Sequence, residues 1–111
     1  KADDAGRAIK DYTVAQRDDA IRSAKGALDD LDRRIRRMER KLDSDWDKMD
    51  QAARNKARAA LDALRRERND VAEWYGGLKH SSAESWEQVK AGFVKSYEVL
   101  RDSFAKARKQ F

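Results

Sequence analysis

The chain has 111 residues, enough for one domain and too few for two independent cores. It contains no proline, no cysteine and five glycines, with 42% charged residues; this suits long helices and excludes disulfides, thiol chemistry and Cys-ligated zinc. The net charge of +5 is spread along the chain rather than gathered in a tail, so it permits attraction to phosphates or anionic lipid without demanding it.

Hydrophobic residues make up 40% of the chain, much of it alanine, so the larger ones line helix seams and do not fill a thick core. Low hydropathy with high charge is also a mark of disorder, but the apolar residues keep a helical phase that a disordered chain has no reason to keep. No apolar run approaches the roughly 20 residues that span a bilayer. The first residue is Lys1 and not methionine, which makes a removed signal peptide one expectation.

In chain order, residues 1–6, with Asp3, Asp4 and Gly6, read as a frayed start. From about Arg7 to Leu42 the pattern predicts one long helix. Val14, Ile21, Leu28, Ile35 and Leu42 fall seven apart, and Ala24, Leu31 and Met38 follow the middle members by three, which is a heptad seam. Asp29–Arg33, Asp30–Arg34 and Asp32–Arg36 are acid-before-base pairs four apart, each expected to add about 0.2–0.5 kcal/mol.

The run Asp43-Ser44-Asp45-Trp46-Asp47 predicts a first turn near 43–46, with Ser44 capping the next helix and Asp45 and Asp47 in its first turn. Helical phase also carries through Leu42, Trp46, Met49 and Ala53, so an unbroken helix of ~70 residues is the alternative. The second helix is expected over 45–78, with a stripe of Trp46, Met49, Ala53, Ala57, Ala60, Leu61, Leu64, Val71, Tyr75 and Leu78. Its alanines predict close helix approach. Gly77 is expected as a left-handed stop and Ser81-x-x-Glu84 as a capping box, giving a second turn near 76–82.

The third helix, expected over 82–110, carries Trp86, Val89, Phe93, Tyr97, Leu100, Phe104 and Phe111, including five of the chain's nine aromatic residues. That burial capacity makes it the element around which the others should pack. The expected fold is therefore a single all-α domain over 1–111: an elongated, coiled-coil-like, antiparallel three-helix bundle about 45–55 Å long.

Asp11-Tyr12-Thr13-Val14-Ala15-Gln16-Arg17, and later Ser82 through Trp86, Val89 through Phe93, Tyr97 and Leu100 to Phe104, resemble small bacterial coiled-coil proteins of unassigned biochemistry. Members of that group often carry a signal peptide or lipoprotein signal, and some are labelled stress-response proteins. The resemblance implies a bacterial source and the periplasm, with the cytoplasm as the alternative. It brings no catalytic residues. Gly76-Gly77 and Trp74-Tyr75 depart from the pattern, so the second turn is where this chain should differ.

No nucleophile elbow, phosphate-binding loop, paired zinc motif or Gly-rich dinucleotide loop occurs, so the chain reads as no enzyme, with no cofactor and no metal. His80, the only histidine, is expected as an exposed turn residue. Met38 and Met49 lie on the apolar stripes and should pack in the core. Asp29-Asp30-Asp32 and Asp43-Asp45-Asp47-Asp50 lack the glycine and closing glutamate of a calcium loop. Trp46, Trp74 and Trp86 are expected to cover the ends of the core.

The positive signal is basic. Arg33, Arg34, Arg36, Arg37, Arg40 and Lys41 would lie, in a hairpin, near Arg54, Lys56 and Arg58, forming a candidate anion-binding patch. The aspartates one turn earlier should neutralise much of it. Two functions remain: a non-enzymatic helical interaction or structural protein with an unknown protein partner, homodimer included, or a binder of membrane head groups or nucleic acid through the Arg33–Lys41 end.

Overall fold

In a computed structural model, which describes residues 8–110, the chain folds into three long helices with no strand among those residues. These are α1 (Arg17–Asp45), α2 (Gln51–His80) and α3 (Trp86–Ala107), with 3₁₀ turns at Ile9–Asp11, Val14–Gln16, Trp46–Lys48 and Arg108–Gln110. The bundle measures 52 × 20 × 18 Å, the elongated all-α form that the heptad spacing predicts. Asp32 meets Arg68 and Glu39 meets Arg65, so α1 and α2 run antiparallel. α3 returns in the direction of α1: Tyr12, just before α1, meets Trp86, and Arg34 meets Phe104.

One core joins Leu28, Leu31, Ile35 and Leu42 of α1, Leu61, Leu64, Val71 and Leu78 of α2, and Trp86, Phe93, Tyr97, Leu100 and Phe104 of α3. Met38 and Met49 pack half-buried against its rim, as their stripes predict. The helix approached most closely by both others is α2, not the aromatic-rich α3. Small residues explain this: Ala57 is fully buried, and a Cβ at Gly77 would stand 3.1 Å from Val89 Cγ1. Large side chains bridge α1 to α3 instead, and the Arg34 guanidinium lies 6.0 Å from the Phe104 ring centroid.

The helix boundaries depart from the expected 7–42, 45–78 and 82–110. The first helix begins at Arg17, because the preceding segment is held by tertiary contacts. Tyr12 and Thr13 are extended, Thr13 and Gln16 cap each other, and Ile9 is fully buried. The Tyr12 carbonyl accepts from Trp86 Nε1 at 3.1 Å and Lys90 Nζ at 2.9 Å, while Arg17 Nη1 donates to the Ser81 carbonyl at 2.6 Å. Val14 consequently leaves the seam and is 42% exposed.

Ser44 caps nothing; α1 runs through it, and the chain reverses over residues 46–50. The cap of α2 is Asp50, whose side chain accepts from the Ala53 amide at 2.8 Å. The reversal removes the unbroken-helix alternative. Gly76 and Gly77 stay inside α2 with negative φ, and the helix continues to His80. Ser81 and Glu84 form no capping box. Ser82 and Ser85 fill the turn instead: each amide donates to the other's Oγ, at 3.0 and 3.2 Å. Arg7, Phe111 and the expected frayed start fall outside the described residues.

Nothing stands within 4 Å of a Cβ placed on Gly26 or Gly76. Gly26→Ala and Gly76→Ala should therefore each stabilise the bundle by about 0.5–1 kcal/mol, through helix propensity and a less flexible unfolded chain. Urea unfolding of the single and double variants checks this. A loss at either position would mean that the backbone there is not regular helix.

Candidate functional site

A helix turns about 100° per residue, so six cations between positions 33 and 41 cannot share one face. Arg34, Arg37 and Lys41 line a groove between α1 and α3 whose apolar lining is Met38 and Phe104, and Arg108 closes its far side. Arg36 and Arg40 line a different groove on the α2 side, among Glu39, Asp43 and Arg65. Arg33 is exposed and pairs with Asp30 at 3.6 Å.

Arg54 and Arg58 join neither groove. Their guanidiniums lie 4.7 and 4.4 Å from the Trp46 ring centroid, and Arg54 Nε donates to the Trp46 carbonyl at 2.9 Å. This cation–π stack covers the half-buried indole at the α1–α2 turn. Arg58 also borders a groove with Asp43, Asp47 and Asp62, and Lys56 lies elsewhere, beside Lys106 and Ala107. The expected single patch is thus two basic faces and a separate stack.

The neutralising aspartates are partly diverted. Asp30 holds Arg34 at 3.1 Å, as the four-residue spacing predicts, and holds Arg33 as well. Asp29 turns back to Lys25 at 3.0 Å. Asp32 is taken by Arg68 of α2 through two hydrogen bonds of 2.6 and 3.0 Å, which hold the Arg68 guanidinium above its ordinary pKa. Lys41 pairs with Asp45 at 3.1 Å. Among the described residues, Arg36, Arg37, Arg40 and Arg108 therefore meet no carboxylate.

Arg108 was not legible as part of this site. It lies one helical turn beyond Phe104, but nothing local says that α3 lies beside residues 34–41 of α1. The register of α3 against α1 brings Arg108 there.

A second surface is apolar and acidic. Trp74 is 39% and Val99 48% exposed, and both border a groove between α2 and α3 with Glu67, Asp70, Glu73 and Lys95. The Trp74 ring lies over Gly92, where any Cβ would collide with it. Trp74 thus does not cover an end of the core as expected; it sits on the flank. Trp86 is fully buried beneath the N-terminal segment.

The other candidates are placed simply. His80 is exposed at the last position of α2. Among the described residues, no group of three His, Asp or Glu side chains is arranged to hold a metal ion, and no helix is long and apolar enough to cross a membrane. No family model, curated protein or solved structure matches the chain.

Proposed function

We propose that this chain is a non-enzymatic helical interaction protein of the bacterial envelope, linked to stress, that works by presenting surfaces of a rigid bundle. The observation that carries the interaction reading is the Trp74–Val99 face. A large aromatic held over a glycine notch, half in water and next to an exposed valine, is costly to leave uncovered and typical of a partner-binding centre. Glu67, Asp70 and Glu73 along its border favour a partner with Lys or Arg flanks, and the Glu67 Oε1 atom is buried without a hydrogen-bond partner among the described residues. The envelope and stress assignments are supported by the resemblance of the 11–17 and 82–104 stretches to small bacterial coiled-coil proteins. Fractionation of cells carrying the natural gene tests the periplasmic location.

The interaction reading is tested with two amphipathic helical peptides that share a leucine stripe, one flanked by lysine and the other by glutamate. The lysine-flanked peptide is expected to shift the Trp74 indole and Val99 methyl NMR signals, and Trp74→Ser with Val99→Ser should weaken binding by about tenfold or more. Absence of binding by both peptides, with no self-association by light scattering, would sink this reading.

The second reading, binding of anionic surfaces, gains support from Arg36, Arg37 and Arg40, which no carboxylate of the described residues meets. Binding to acidic vesicles or duplex DNA should then fall steeply with salt and disappear on charge reversal of these three arginines, with Lys95 and Lys106 reversals mattering much less.

A further inference from the structure

We infer that the groove between α1 and α3 is a binding site for a single-chain fatty-acid anion. The inference rests on the anionic-surface reading and deepens it by naming a ligand for one of the two basic faces. The groove is open to solvent along its length and offers about 480 Å³, within the size range of small-molecule sites. Its lining combines two chemistries. Half-buried Met38 supplies apolar surface above the buried Phe104 ring, extended by the aliphatic stems of the flanking cations. Arg34, Arg37, Lys41 and Arg108 supply four positive heads, and among the described residues no carboxylate lines the groove.

Two of those heads are already engaged, Arg34 by Asp30 and Lys41 by Asp45. Arg37 and Arg108 have no carboxylate among the described residues, and the planar fork of a guanidinium fits a carboxylate through two parallel hydrogen bonds. An inorganic anion would satisfy the arginines and leave the apolar trench wet. A neutral alkyl chain would do the reverse. A chain ending in a carboxylate satisfies both. The Arg36–Arg40 groove lacks this pairing, because Glu39 and Asp43 stand among its cations.

The test titrates laurate, kept below its critical micelle concentration, into the full chain, read by calorimetry and by the Met38 methyl NMR signal. Laurate should bind and shift Met38, whereas acetate and dodecanol at equal concentration should not. The double variant Arg37→Glu/Arg108→Glu should weaken laurate binding by about tenfold or more. Arg36→Glu/Arg40→Glu, which removes the same charge from the other face, should change it by about twofold at most at physiological salt. All four positions are exposed, so circular dichroism should find both variants folded. Failure of laurate to bind, equal binding of acetate or dodecanol, or equal loss in the two double variants would each overturn the inference. Sedimentation with acidic vesicles separates it from the reading beneath it: vesicle binding without laurate binding would leave the anionic-surface reading standing and remove the groove ligand.

Discussion

Trp86→Ala is expected to be among the most damaging single truncations in this chain, at about 3–5 kcal/mol. The side chain is fully buried at the start of α3, under the segment that precedes α1. Its loss opens a large cavity and also removes the Nε1 donor to the Tyr12 carbonyl, leaving Lys90 as the donor there. At about 4–8 °C per kcal/mol for a domain of this size, the melting temperature should drop by more than about 12 °C. Trp86→Phe separates the two contributions. It keeps most of the ring and loses the hydrogen bond, so its cost should be smaller, with about 0.5–1.5 kcal/mol from the bond itself. Both variants should speed amide exchange over residues 9–13, because Ile9 and Tyr12 are docked on this part of the core. A Trp86→Ala cost below about 1 kcal/mol would mean that Trp86 is not part of the buried core.

Phe93→Ala should cost about 3–5 kcal/mol by a different route. Phe93 is fully buried in α3 and stacks on Tyr97 with ring centroids 6.3 Å apart and planes 21° from parallel. Its removal leaves Tyr97 facing a void between the two most closely packed helices. Phe93→Leu, which refills part of that space, should recover a good share of the loss. His80→Ala is the matched control and should lie within about 0.5 kcal/mol of the parent, since His80 is exposed at a helix end. Urea unfolding followed by circular dichroism measures all three. A large loss at His80, or none at Phe93, would reverse the assignment of helix faces.

The three tryptophans show where sequence reasoning succeeds and where it stops. Trp86 lies on a stripe of seven apolar positions, and its burial follows from that period alone. Trp74 lies one residue before Tyr75 of the α2 stripe, and its partner is the absence of a side chain at Gly92, on another helix. A missing Cβ leaves no periodic trace. Trp46 was legible as a residue near a turn, but its two guanidinium lids come from α2, whose start is set by Asp50 and not by Ser44.

The candidate site divides in the same way. That residues 33–41 are basic is plain in the chain. Which of these cations stay unpaired depends on competition for aspartates across helices. Asp32 sits one turn before Arg36, yet Arg68 takes it, because a guanidinium on a facing helix can approach through two hydrogen bonds.

By itself the sequence determined an all-α chain, three amphipathic stripes, the bulk of the core and a bundle of roughly the observed length. Those follow from period and composition, which act locally and repeat along the chain. Only the tertiary structure decided the boundaries: the first helix starts late because Tyr12 is tied to Trp86 and Lys90, and the glycine pair stays helical because α2 packs through it. It alone decided that Arg108 joins Arg37 beside Met38: an up-down-up order already makes α3 parallel to α1, but that contact depends on the register and facing side of the two helices. Helical period sets which face of a helix is apolar; the direction and register of its neighbours set which charges meet across it.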